Sequence, residues 1–141
     1  MRLRIEVRDL GAIASLERLQ EVLGDLSAPL DEAGVFMERE TRLNFVSQTT
    51  PDGAGWAGLR PATLRRKKTR AILRETSTLM GGIQKQAATA SSVQVTSTGA
   101  KYGIFHQTGT SKMEQREYIG IGDRHIPRIK QIFDGYIQRA L

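Results

Sequence analysis

With 141 residues, 39% of them apolar and 26% charged, the chain has the make-up of a soluble globular protein and the length of a single domain spanning residues 1–141. The lack of cysteine excludes disulfides, thiolate metal sites and thiol nucleophiles together, and no run approaches the roughly 20 apolar residues of a membrane-spanning helix. The formal net charge of +6 is local: seven of the 21 basic residues lie between Arg60 and Arg74, leaving 14 against the 15 acids, so that segment is the part suited to a polyanion or an acidic partner.

Residues 2–8 alternate Leu3, Ile5 and Val7 with Arg2, Arg4, Glu6 and Arg8, the period-2 pattern of a strand with one wet face. The same stretch has no apolar signal-peptide core and gives no expectation of secretion. Asp9 is placed to cap a helix carrying Ile13, Leu16, Leu19, Val22 and Leu23 and ending near Gly24. Ser27, Pro29 in the first turn, and Asp31 and Glu32 near the positive end of the dipole predict a second helix to about Val46. Its expected buried residues are Leu30, Ala33, Phe36, Met37, Leu43 and Val46, and Gly34 weakens it by about 1 kcal/mol relative to alanine.

The rest of the chain is organised around residues 50–76, TPDGAGWAGLRPATLRRKKTRAILRET. Pro51, Asp52, Gly53 and Gly55 are turn formers, and Trp56, the only tryptophan, gives this loop a large apolar surface with which to dock on something solid. A third helix is expected from Pro61 through the basic run; its apolar face (Leu64, Ala71, Ile72, Leu73) is ragged, and a short helix followed by an extended connection fits as well. A helix over 75–85, capped by Thr76 or Ser77, should turn Leu79, Met80 and Ile83 inward.

Residues 86–91 read as a loop, and 92–97 and 101–107 as a hairpin. A polar, mobile loop at 109–116 then leads to a last short strand through Tyr118, Ile119 and Ile121. After Asp123, Ile126, Ile129, Ile132, Phe133, Tyr136 and Ile137 mark an amphipathic helix whose stripe needs a partner. The sum is an α+β fold, a small mainly antiparallel sheet packed against several helices.

Little catalytic chemistry can be assembled. His106 sits in an alternating strand pattern and His125 near a helix start, positions that favour structural roles, and neither has the spacing of a zinc site. Asp52 and Glu75 cannot be paired as a two-carboxylate site from sequence. No nucleophile elbow, Walker or dinucleotide motif occurs, and PDGAGW lacks the lysine and helix that a phosphate cradle needs. No catalytic residue, metal or cofactor is expected.

The basic run of Arg60, Arg65, Arg66, Lys67, Lys68, Arg70 and Arg74 reads either as a solvated face or as a contact with DNA or an acidic neighbouring subunit. Without interleaved aromatics it would meet phosphates and read no sequence. Two further classes remain: a small nucleic-acid-binding protein acting through this run, and a ribonuclease-like enzyme using His106, for which no acid, base and anion-stabilising set can be assembled.

An ordered series of motifs carries a resemblance: PDGAGW at 51–56, TLRRKK at 63–68, ILRETSTLMGGI at 72–83, YGIFHQTGT at 102–110 and REYIGIGD at 116–123. Together they resemble the phage virion morphogenesis family, the tail-completion proteins of Mu-like and related tailed phages and prophages. The chain departs from the family's usual look with Thr108 after the His-Gln pair, where an aromatic is frequent, and with Glu117, where proline is common. The resemblance implies a non-enzymatic virion protein in a homo-oligomeric ring, a hexamer, at the head–tail junction or tail end, between head-connector and tail-tube proteins, with DNA passing through and no membrane involved. It would make Trp56, with Pro51, Asp52 and Gly53, an inter-subunit or loop anchor, and would turn the basic run toward the DNA channel or a partner ring. The loops at 50–58 and 109–116 would then order on neighbours during assembly.

Overall fold

The computed structural model describes residues 10–58, 78–97, 107–109, 111 and 114–140. The strand expected at 2–8, the Asp9 cap, the helix from Pro61 with its basic run, the start of the 75–85 helix, and most of the second hairpin strand with His106 lie outside the described residues.

Two helices open the described chain, α1 (Leu10–Leu23) and α2 (Ser27–Ser47). Gly24, at φ +73°, ends α1, its N–H donating to the Gln20 carbonyl, as a left-handed residue after a helix does. The Asp25 carboxylate then accepts from the Ser27 N–H and so caps α2 from one residue further out than a usual N-cap. A short helix α3 (Thr78–Gly81) leads into strand β1 (Ile83–Lys85), which pairs antiparallel with β2 (Val95–Ser97), Gln84 opposite Thr96. A 3-10 turn (Asp123–His125) runs into α4 (Ile126–Ala140). Among the described residues the result is an α+β fold of helices and a two-stranded antiparallel sheet. No helix among the described residues is long and apolar enough to cross a membrane.

The stripe of α4 finds its partner in α1, and α2 closes the third side. Leu19, Leu26, Leu30, Met37, Ile129, Ile132, Phe133 and Ile137 are buried together. Ser15, itself buried, donates from α1 to the Asp134 carboxylate at 2.9 Å. A second cluster, Phe45, Trp56, Ile83, Tyr118 and Ile119, lies at the far end of α2. Gly34 has its use here: a Cβ at this position would come within 2.7 Å of Val93 Cγ2 and 2.9 Å of Lys85 Cδ, so its absence lets the β1–β2 hairpin lie close against α2.

Several expectations are corrected. Leu43 and Val46 are 45% and 55% exposed, because the buried stripe of α2 runs through Leu30, Ala33, Met37, Thr41 and Asn44 at three- and four-residue steps that pass them by. The 75–85 helix stops at Gly81, and Ile83 is buried from a strand instead; Gly81-Gly82 breaks the helix.

The described partner of β2 is β1, on the N-terminal side of β2, and Gln107, expected in the second hairpin strand, has helical backbone. Residues 118–121 form no strand. Their backbone is satisfied by side chains: Gln107 Oε1 accepts from the Tyr118 and Ile119 N–H groups, Gln107 Nε2 donates to the Ile119 carbonyl, and Asn44 Nδ2 donates to the Tyr118 carbonyl. Arg116, placed in a mobile polar loop by its sequence, is 8% exposed.

A related device closes β1. Arg42 donates to the Ile83 carbonyl at 2.7 Å, and Glu38, its ion-pair partner one turn earlier on α2, accepts from the Lys85 N–H. Side chains of α2 thus stand where a further strand would pair with β1.

Candidate assembly site

The loop after α2 begins where Gln48 takes φ +57° and donates to the Asn44 carbonyl, which turns the chain sharply out of the helix. Thr49 bridges to Gly55, the Thr50 N–H donates to the Ala54 carbonyl at 2.7 Å, and the Gly53 N–H, from φ +92°, donates back to Thr50. The Trp56 N–H closes the base on the Gln48 carbonyl at 2.7 Å. The result is a compact turn with Pro51 and Trp56 buried and Asp52, Gly53, Ala54 and Gly55 exposed at its tip.

Trp56 stands edge-on to Phe45, centroids 5.7 Å apart, and Phe45 packs in turn on Tyr118 at 5.2 Å, an arrangement aromatic quadrupoles favour. The indole N–H donates to the Glu117 carbonyl at 2.6 Å. Tyr118 is fully buried, its hydroxyl shares a 2.9 Å hydrogen bond with Ser97, and burial pushes its pKa up despite that bond.

Two arginines hold the loop from either end. Arg116 donates to the carbonyls of Ala57 and Gly58 at 2.9 and 3.0 Å. Arg124 donates to the Pro51 carbonyl at 2.8 Å and to Asn44 Oδ1 at 3.0 Å. The Asp52 carboxylate accepts from the Asp123 N–H. The chain at Gly122 passes so close that a Cβ there would lie 2.3 Å from the Pro51 carbonyl oxygen; only glycine fits.

Beside this contact His125, 2% exposed, accepts the Gly122 N–H on Nδ1 at 3.0 Å. Its proton therefore sits on Nε2, 3.8 Å from Glu40 and without a hydrogen-bond partner. Burial first, then the Arg124 charge, holds its pKa below the usual histidine value, against the opposing pull of Glu40 and Asp52. A buried neutral imidazole that serves as an acceptor for backbone is a structural group.

Of the residues singled out from sequence, Pro51, Asp52, Gly53 and Trp56 are brought into this one turn, while Arg60, Arg65, Arg66, Lys67, Lys68, Arg70 and Arg74 lie outside the described residues. The sequence reading missed Asn44, Arg116, Gly122 and Arg124, which fix the loop in place, and Gln107, which holds the backbone of Tyr118 and Ile119. Arg116 and Gly122 stand inside the REYIGIGD motif and were within reach; Asn44, in the last turn of α2, gave no signal. Among the described residues no group of three or more potential ligands could hold a metal ion. The chain matches the model of the phage virion morphogenesis family over residues 9–138. No curated protein and no solved structure matches it.

Proposed function

From its membership of the phage virion morphogenesis family, to which the chain belongs over residues 9–138, we propose that this protein is a non-enzymatic ring subunit of a tailed phage or prophage. The family places it in the building of a virion alongside other virion proteins. The ring, a hexamer of one-domain subunits, sits at the head–tail junction or tail end between head-connector and tail-tube proteins, assembled in the host bacterial cytoplasm, and DNA passes through it.

The family match is the observation that carries this reading. The assembly loop adds to it: Trp56 and Pro51 root the turn in the subunit while Asp52 and Gly53 are presented at its tip, a rigid projection of the kind that docks on a neighbour at low ordering cost. The basic run at residues 60–74 faces the DNA channel or an acidic partner ring. Reversing Arg65, Arg66, Lys67 and Lys68 to glutamate should leave a folded subunit and unjoined heads and tails, as seen by electron microscopy of lysates. Normal infectious particles would overturn the assignment, as would tight, salt-sensitive nucleic-acid binding by the free monomer, the mark of a stand-alone binding protein.

A further inference from the structure

Gly122, Asp123 and Arg124 grip the 51–56 loop at successive residues. Gly122 lies against the Pro51 carbonyl with no room for a Cβ, the Asp123 N–H donates to the Asp52 carboxylate at 3.3 Å, and Arg124 donates to the Pro51 carbonyl. His125 braces this turn from inside in two ways. Its backbone N–H donates to the Gly122 carbonyl at 2.9 Å, and its Nδ1 accepts the Gly122 N–H at 3.0 Å. The second bond needs a neutral imidazole, because the protonated form carries a hydrogen on both nitrogens and accepts nothing.

The opposite edge of the imidazole suits the charged form. Nε2 is buried without a hydrogen-bond partner and lies 3.8 Å from the Glu40 carboxylate of α2, while Phe36, also on α2, stands edge-on to the imidazole at 6.0 Å. Burial, the largest influence, and the Arg124 charge oppose protonation, whereas Glu40 and Asp52 of the loop favour it. A proton added at Nδ1 sets two N–H groups against each other at Gly122, and the same charge draws the imidazole toward Glu40. The two states therefore serve different neighbours, the neutral one the turn and the charged one α2.

We propose that His125 is a pH-sensitive latch on the 51–56 loop, closed through Gly122 while the imidazole is neutral and released toward Glu40 when it is protonated. What it frees is the turn whose tip, residues 52–55, is exposed. Acid should loosen this one projection in a subunit that stays folded. The latch acts within a single subunit and does not depend on assembly into an oligomer.

In the full chain, Trp56 emission and amide hydrogen exchange can be followed downward from about pH 7.5 until circular dichroism reports global unfolding. Emission should shift to the red, reversibly and ahead of any change in circular dichroism, with a midpoint below about pH 6.5. Over the same interval the Thr50 and Trp56 amides should lose at least about tenfold of their protection, the weight of one lost buried hydrogen bond, while those of α1 keep theirs. His125→Asn should remove the transition. Glu40→Gln should leave emission at neutral pH unchanged and move the midpoint to lower pH, and it decides the matter alone if His125→Asn does not fold. Emission that changes only together with circular dichroism overturns the latch, as does a transition that persists in His125→Asn or a Glu40→Gln midpoint that stays in place.

Discussion

The core between α1, α2 and α4 and the cluster around Phe45 and Trp56 bury similar kinds of residue by different means. In the first, apolar side chains recur at helical spacing and need only meet, as Leu19, Ile129, Ile132 and Phe133 do. In the second, Phe45 stands in the last turn of α2, but Trp56 and Tyr118 sit on irregular backbone held by single side chains distant in sequence: Asn44, Gln107, Arg116 and Arg124. A helical core can exchange one apolar residue for another of like volume. A cluster held by polar side chains loses a buried partner with each substitution, and an orphaned buried polar group costs more than the bond it made.

The widest gap should open between the loss of a whole ring from the second and of a single methylene from the first. Phe45→Ala removes the ring on which both Trp56 and Tyr118 pack and should cost about 3–5 kcal/mol in urea unfolding, whereas Ile132→Val in the helical core should cost about 0.5–1.5 kcal/mol. Equal losses would mean that the loops contribute less than their geometry implies. A finer cut is Asn44→Ala, which strands the Tyr118 carbonyl and one donor of Arg124; a loss of about 1–3 kcal/mol is expected, with a red shift of Trp56 emission as the loop loosens. Unchanged emission would show that Arg124 holds the loop without help from α2.

The smallest effect is one of pH. His125 has a folded pKa below its unfolded one, so the unfolded chain binds more protons as pH falls through the ordinary histidine range. Its contribution is complete above about pH 6.5 and is lost as pH drops from there toward the folded value. His125→Asn, which keeps an acceptor near Nδ1, should flatten this part of the stability–pH curve; an unaltered slope would assign it to another group.

The same contrast explains what could be read in advance. The periodicity of α1 and α2 fixed their ends to within a residue or two, with Gly24, Ser27 and Pro29 as local signals, and that of α4 gave its buried stripe. Tyr118 and Ile119 looked like a strand because they are β-prone and buried, and they are buried; what no local pattern announces is that the amide of Gln107, eleven residues before, takes the place of the neighbouring strand. The turn at 51–56 was legible as a turn from its glycines, but its seat depends on Gly122 and Arg124, some seventy residues later, and a single sequence does not pair such positions. The β1 strand was obscured by its helix-like lead-in, although Gly81-Gly82 marks the change.

The closing of β1 by Glu38 and Arg42 also bears on how the protein behaves in quantity. An open strand edge is a template on which another chain can add its own backbone, the first step toward aggregation. The ion pair on α2 occupies two of those backbone groups with partners from the same molecule. The consequence is colloidal: at this edge, copies crowded together find the Ile83 carbonyl and the Lys85 N–H already taken.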